Sequence, residues 1–147
     1  MTGKIRTEIR LMGHHLDFSA IDSQIGVAPT KTWKEGERSG PDRPSRQYDC
    51  WLFSTGRIET VDIADALKVI LNALSDKRAA IRELVISQNM DVSFDVELIF
   101  PADSPPALYF HRDFLDFLDC IKARVDVDIY CETLDHPALL ERSELTR

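Results

Sequence analysis

The chain has 147 residues, 44% of them hydrophobic and 29% charged, with a net charge of −7. A domain of that size buries roughly 70% of the surface its unfolded chain exposes, so it needs neither disulfide nor metal support. The acidic balance excludes the large basic footprint with which nucleic-acid binders displace phosphate counterions. It also opposes an anionic membrane surface. No stretch approaches the roughly 20 apolar residues of a membrane span.

Residues 4–12 alternate, with Ile5, Ile9 and Leu11 on one face and Lys4, Arg6, Glu8 and Arg10 on the other. This pattern predicts a half-buried strand, and its charges also interrupt any signal-peptide apolar region. Gly13 ends the strand. Asp17 can cap a short helix that buries Ile21 and Ile25, with Gly26 as its stop and Pro29 beyond. Residues 30–47 form a Gly/Pro-containing connector that is locally basic, with Lys31, Lys34, Arg38, Arg43 and Arg46. A short strand around 30–34 begins it.

Residues 48–54 predict a strand apolar on both faces, hence internal to a sheet, closed by Gly56. Thr60 or Asp62 opens a helical region in which Ile63, Leu67, Ile70, Leu71 and Leu74 recur at helical spacing. Ser75 and Asp76 can break it before Ile81, Leu84 and Val85 continue the stripe. The spacing does not decide between one helix and two. Residues 90–100 alternate most clearly, with Val92, Phe94, Val96, Leu98 and Phe100 against Asp91, Ser93, Asp95 and Glu97. Pro101, Pro105 and Pro106 mark a turn, and residues 108–110 read as a returning strand. A further helix buries Phe114, Phe117, Leu118 and Ile121. A last strand turns Val127, Ile129 and Cys131 to the core and Asp126, Asp128 and Tyr130 outward.

The order β-α-β-β-α-β-β-α-β predicts an α+β domain over residues 1–134 with a polar tail at 135–147. From residue 48 onward it matches the split βαβ plan of ferredoxin-like folds. Helices would cover one sheet face, and the N-terminal strand and short helix would be additions. The other face would carry Lys4, Arg6 and Arg10 beside Asp91, Asp95, Glu97, Asp126 and Asp128, solvated and partly self-paired across strands.

Residues 26–36 read Gly-Val-Ala-Pro-Thr-Lys-Thr-Trp-Lys-Glu-Gly, Asp49-Cys50-Trp51-Leu52-Phe53-Ser54 follows, and Asp128-Ile129-Tyr130 comes near the end. These motifs resemble the bacterial domain-of-unknown-function family numbered 4279, over roughly residues 5–131. His14-His15 departs from it, since acidic residues often stand there in the family. The resemblance implies a bacterial cytosolic protein and carries no activity.

His14-His15 reads as a loop pair or as a metal site or general base. Adjacent residues on a strand end point apart, and no third ligand can be named. His111 stands between a strand end and a helix start, a place for a cap or a catalytic group. Asp49-Cys50-Trp51 could be read as an activated thiol, but a reactive Cys needs a cationic neighbour or a helix N-terminus, and Cys50 falls in an internal strand. With Cys120 and Cys131 it forms an odd, widely spaced set without C-x-x-C, as expected of reduced cytoplasmic thiols. There is no Gly-rich cofactor loop, nucleophile elbow or zinc-protease motif, so no catalytic residue, metal or cofactor is assigned.

Trp51 reads as core. Trp33, beside the basic connector, reads either as core or as an anchor of a binding surface. The expected function is a non-catalytic cytoplasmic protein-interaction module, in its strongest form an immunity- or inhibitor-type protein that binds a basic partner, since opposite charge steers encounter with small acidic domains. Its candidate residues are Trp33, Lys34, Arg38, Arg43 and Arg46 for an acidic partner, or Asp91, Asp95 and Glu97 for a basic one. The alternative is a small-molecule binder or enzyme with a pocket between the 30–47 connector and the sheet, where Trp33 stacks and Arg38 or Arg46 holds an anion. A third reading is a homodimer built through an edge strand. Neither nucleic acid nor membrane is expected as a partner.

Overall fold

A computed structural model describes residues 3–132. The elements in chain order are β1 (Lys4–Gly13), α1 (Phe18–Ile25), β2 (Lys31–Trp33), β3 (Asp49–Glu59), α2 (Ile63–Leu74), a 3₁₀ turn (Ser75–Lys77), α3 (Arg78–Ser87), β4 (Asp91–Pro101), α4 (Arg112–Cys120) and β5 (Ala123–Glu132). The five strands form one sheet in the order β2-β3-β1-β4-β5. β1 is antiparallel to both β3 and β4, and β4 is parallel to β5. The protein is therefore a mixed α+β domain. The expected tail at 135–147 lies outside the described residues.

β1 is the middle of the sheet and not an addition to it. Its partners lie on both sides along nearly its whole length, with Ile9 opposite Phe53 on one side and Phe94 on the other. β3 and β4 both run against β1, so they run with each other, joined by α2 and α3 across the face of the intervening strand.

The helices lie where their apolar stripes find the sheet. Ile63, Ala66, Leu67, Ile70 and Leu74 of α2, Ile81, Leu84 and Val85 of α3, and Phe114, Phe117 and Leu118 of α4 are all buried. They share one core with Ile21 and Ile25 of α1 and with Ile5, Ile9, Leu11, Phe94, Val96 and Leu98 of the strands. Asp17 caps α1 by accepting the Ala20 N–H, and Gly26 closes it at a positive φ of 70°. The helical region splits in two at Ser75, whose backbone and hydroxyl oxygens both accept from the Arg78 guanidinium.

Three expectations change. Residues 108–110 do not form a strand; Ala107 alone makes an isolated bridge, to Asp62. Pro105 and Pro106 supply no N–H for a ladder, and the segment is held by side chains instead. The Phe110 ring stands 6.1 Å from both Phe94 and Phe114, and the Tyr109 hydroxyl donates to Asp62 at 2.6 Å. Gly56 does not end its strand, which continues to Glu59. Finally, β5 sits at the sheet edge, where only Val127 and Ala123 pack against the core. Ile129 is 59% exposed, and Cys131 is exposed as well.

Candidate functional site

The face of the sheet away from the helices is charged, and its geometry begins with a bulge. On β1, Arg6, Glu8, Arg10 and Met12 alternate onto this open face. On β3, Cys50, Leu52 and Ser54 do the same. Strict alternation would next bring Gly56 and Ile58 there and turn Arg57 into the core. The register slips instead, because Glu8 faces Ser54 while Arg6 faces Arg57. Thr55 and Gly56 together oppose Thr7, and the extra residue reverses which side chains face which way. Gly56 takes the left-handed φ of 69° that the turn of the chain requires, and the Thr7 N–H donates to the Thr55 hydroxyl at 3.0 Å. Ile58 thereby joins the core, and Arg57 arrives beside Arg6.

Glu97 explains why two like charges can stand together. It is 0% exposed, with one carboxylate oxygen 2.8 Å from Arg6 Nη2 and the other 2.9 Å from Arg57 Nε. Glu8 accepts from Arg10 Nη2 at 2.8 Å and lies 3.4 Å from Arg6 Nε. Arg10 Nε is also 2.7 Å from Asp95. Burial works against the Arg10 charge, yet its hydrogen bonds to Glu8 and the fields of Glu8 and Asp95 outweigh it and raise its pKa. The expectation of a solvated face is thus corrected at its centre, while Asp91, Asp126 and Asp128 toward its margins are exposed. Glu8, Ser93, Asp95 and Glu97 are all buried, because the guanidinium groups fold against the carboxylates and exclude water. The expected self-pairing across strands is observed.

A small second core closes one end of this face, made of Met12, Trp33, Cys50 and Leu52 with Tyr48 packed on it. Trp33 is 4% exposed. The Arg46 guanidinium lies 4.2 Å from its ring centroid, and Lys31 Nζ and Arg10 lie 5.8 and 5.9 Å away. Such stacked cations prefer the electron-rich ring face. Burial pushes the Cys50 thiol up to about 12, so it stays protonated at neutral pH and is no nucleophile.

Between β2, β3 and β1 these residues border a cleft of about 510 Å³. Arg6, Arg10, Lys31 and Arg57 line it with Trp33, and Glu8 is the carboxylate among the lining residues. Among the lining residues, Trp33 Nε1 is buried without a hydrogen-bond partner among the described residues, and Arg6 Nε is buried with only the 3.4 Å ion pair to Glu8.

The connector candidates separate. Arg46 joins Trp33, while Lys34 turns toward α1 and lies 5.0 Å from the Phe18 ring. Arg38 is exposed and Arg43 half-buried, and neither lines the cleft. The connector is closed on itself by the Gly36 N–H to Arg46 carbonyl bond (2.9 Å) and the Arg46 N–H to Glu37 carbonyl bond (2.7 Å). Asp49 anchors its start, accepting the N–H groups of Glu35 at 2.7 Å and Leu16 at 2.9 Å. Burial would raise that carboxyl, but these two bonds, with Lys34 and His15 nearby, hold it below the usual carboxylate value. Of the acidic candidates, Asp91 is exposed at the start of β4, whereas Asp95 and Glu97 are buried inside the ion pairs.

His14 pairs with Glu35 at 3.1 Å on the surface, and His111 precedes α4 without a side-chain cap bond. No group of three metal-ligating side chains occurs among the described residues. Trp51 is core, its indole N–H donating to Asp22 at 3.0 Å. Of the cleft's own residues, the alternation of residues 4–12 places Arg6 and Arg10 on the charged face and Lys31 falls in the basic connector, but none is a binding candidate there, and no pattern points to Arg57. The available signal was the glycine inside a strand, which marks a bulge as readily as an end.

The family described as Domain of unknown function (DUF4279) matches residues 3–132. The chain belongs to this family. The match covers every described element, from the start of β1 to the end of β5, and so includes all residues of the cleft. No curated protein and no solved structure matches the chain. No helix among the described residues is long and apolar enough to cross a membrane.

Proposed function

We propose that this member of the DUF4279 family is an anion-recognition module, binding a carboxylate or phosphate group in the cleft between β2 and the middle of the sheet. The observation that carries this reading is the gathering of four cations, Arg6, Arg10, Lys31 and Arg57, around one cleft with Trp33, whose buried Nε1 donor has no hydrogen-bond partner among the described residues. Buried donors in native proteins nearly always have a partner, and an oxyanion supplies an acceptor. Glu97, Glu8 and Asp95 then serve as anchors that orient the arginines before a ligand arrives, which lowers the ordering cost of binding. This arrangement favours the pocket between connector and sheet over a purely acidic docking face.

A second reading is a variant of the ferredoxin-like, split βαβ plan. β3 and β4 enclose antiparallel β1 as a split βαβ unit, while β4-α4-β5 adds a plain parallel crossover at the edge. The free thiols Cys50, Cys120 and Cys131 suit a reducing cytoplasm.

The test is thermal unfolding at low ionic strength with inorganic phosphate, acetate and succinate. A ligand at 100 times its dissociation constant adds about 2.7 kcal/mol. At least one anion raises the melting temperature, and Lys31→Gln, altering an exposed side chain, weakens that rise while leaving the unliganded melt in place. If no anion moves the wild-type melt, the reading is lost.

A further inference from the structure

The cleft opens onto an unfinished sheet edge. β3 pairs with β1 from Asp49 to Glu59, but β2 covers only residues 50–52 on the opposite side. Residues 53–59 have no paired strand there among the described residues. β2 ends in a backbone cap: the Thr30 N–H donates to the Leu52 carbonyl at 2.8 Å, and the Thr30 hydroxyl accepts the Ser54 N–H at 2.8 Å. A Cβ built on Gly56 meets nothing within 4 Å, so no described side chain packs over the bulge. Open strand edges pair readily with extended chain.

Polarity decides how such a chain lies. β2 is antiparallel to β3. A segment added in line with β2 runs the same way, so its C-terminal end abuts Thr30 and Lys31, at the mouth of the cationic cleft. The opposite direction would bring an N-terminal ammonium against Lys31 and Arg57. Charge therefore selects one orientation and one chemical end. Resting on the anion-recognition reading, we infer that the occupant is the extended C-terminus of a partner protein, about five residues long (residues 55–59 offer that length), with its free α-carboxylate in the cleft. The bulge at Thr55 and Gly56 interrupts regular pairing, so few ladder bonds form and the carboxylate supplies the discrimination.

The experiment titrates the ¹⁵N-labelled protein with inorganic phosphate, with acetate, and with an array of acetylated pentapeptides of alternating Val, Thr and Asp, each made as free acid and as amide. The expected result is at least one peptide acid binding tenfold or more tighter than its amide and than acetate. It shifts the amide signals of residues 54–59, and Lys31→Gln abolishes the preference for acid over amide. Acids and amides that bind alike, or acids no tighter than acetate, overturn the peptide inference while the anion reading stands on phosphate and acetate. If phosphate, acetate and peptides all fail to bind, both fall.

Discussion

The centres of the two sheet faces are both buried but are held by different physics. On the helix face, Phe94 sits among Phe110 and Phe114 with no polar obligation, and its burial is favourable by area alone. On the open face, Glu97 is as buried as Phe94 but must be neutralised by Arg6 and Arg57 at fixed geometry. The desolvation cost of a buried ion pair can exceed its Coulombic gain. The open face therefore contributes orientation and selectivity more than stability, which is what an anion site needs.

The comparison can be broken at several depths. Phe94→Ala has the largest expected effect, a loss of about 4 kcal/mol in urea unfolding, with no selective change in anion affinity in the fraction that remains folded. Glu97→Ala should cost about 3 kcal/mol, because it strands two arginines. Replacing Arg6, Arg57 and Glu97 together by Met, Leu and Leu should restore wild-type stability or exceed it, while anion binding disappears. A triple variant as unstable as the single one would show that the ion pairs themselves hold the fold.

Asp49→Ala should cost about 2 kcal/mol by orphaning the Leu16 and Glu35 amides. Its pH dependence has a definite sign. The folded carboxyl lies below its ordinary value, so its contribution is complete above the ordinary carboxylate range and is lost as pH falls through the folded value. Asp49→Asn should flatten that part of the acid limb, as equilibrium unfolding across pH 2–7 would show. Gly56→Ala is the mildest, at about 1 kcal/mol for a left-handed φ, and sharpens the contrast if anion affinity drops while the core is otherwise intact.

Much of the helix face was legible in the sequence. The stripes of α2, α3 and α4, the Asp17 and Gly26 caps, and the alternation of β4 are local patterns, each decided within a turn or two of chain. The central place of β1 was not, because strand order depends on which distant partners bury its two faces. The burial of Asp95 and Glu97 was hidden for a related reason. Their alternation with apolar residues reads as solvent exposure unless the opposing arginines are placed across from them. Trp33 and Arg46 were visible as neighbours of a basic connector, but Arg57 was not, since its face is set by a register slip and not by its spacing.

The slip at Gly56 has a consequence for how the gene can vary. Loss of one of the two bulge residues would leave a regular strand with Arg57 still opposite Arg6, whereas gain of a codon between Gly56 and Arg57 would exchange the two faces of everything beyond it. Arg57 would be driven among the core aliphatics, and Ile58 would be presented to the arginine pocket. In this stretch an added residue disturbs more than a changed one.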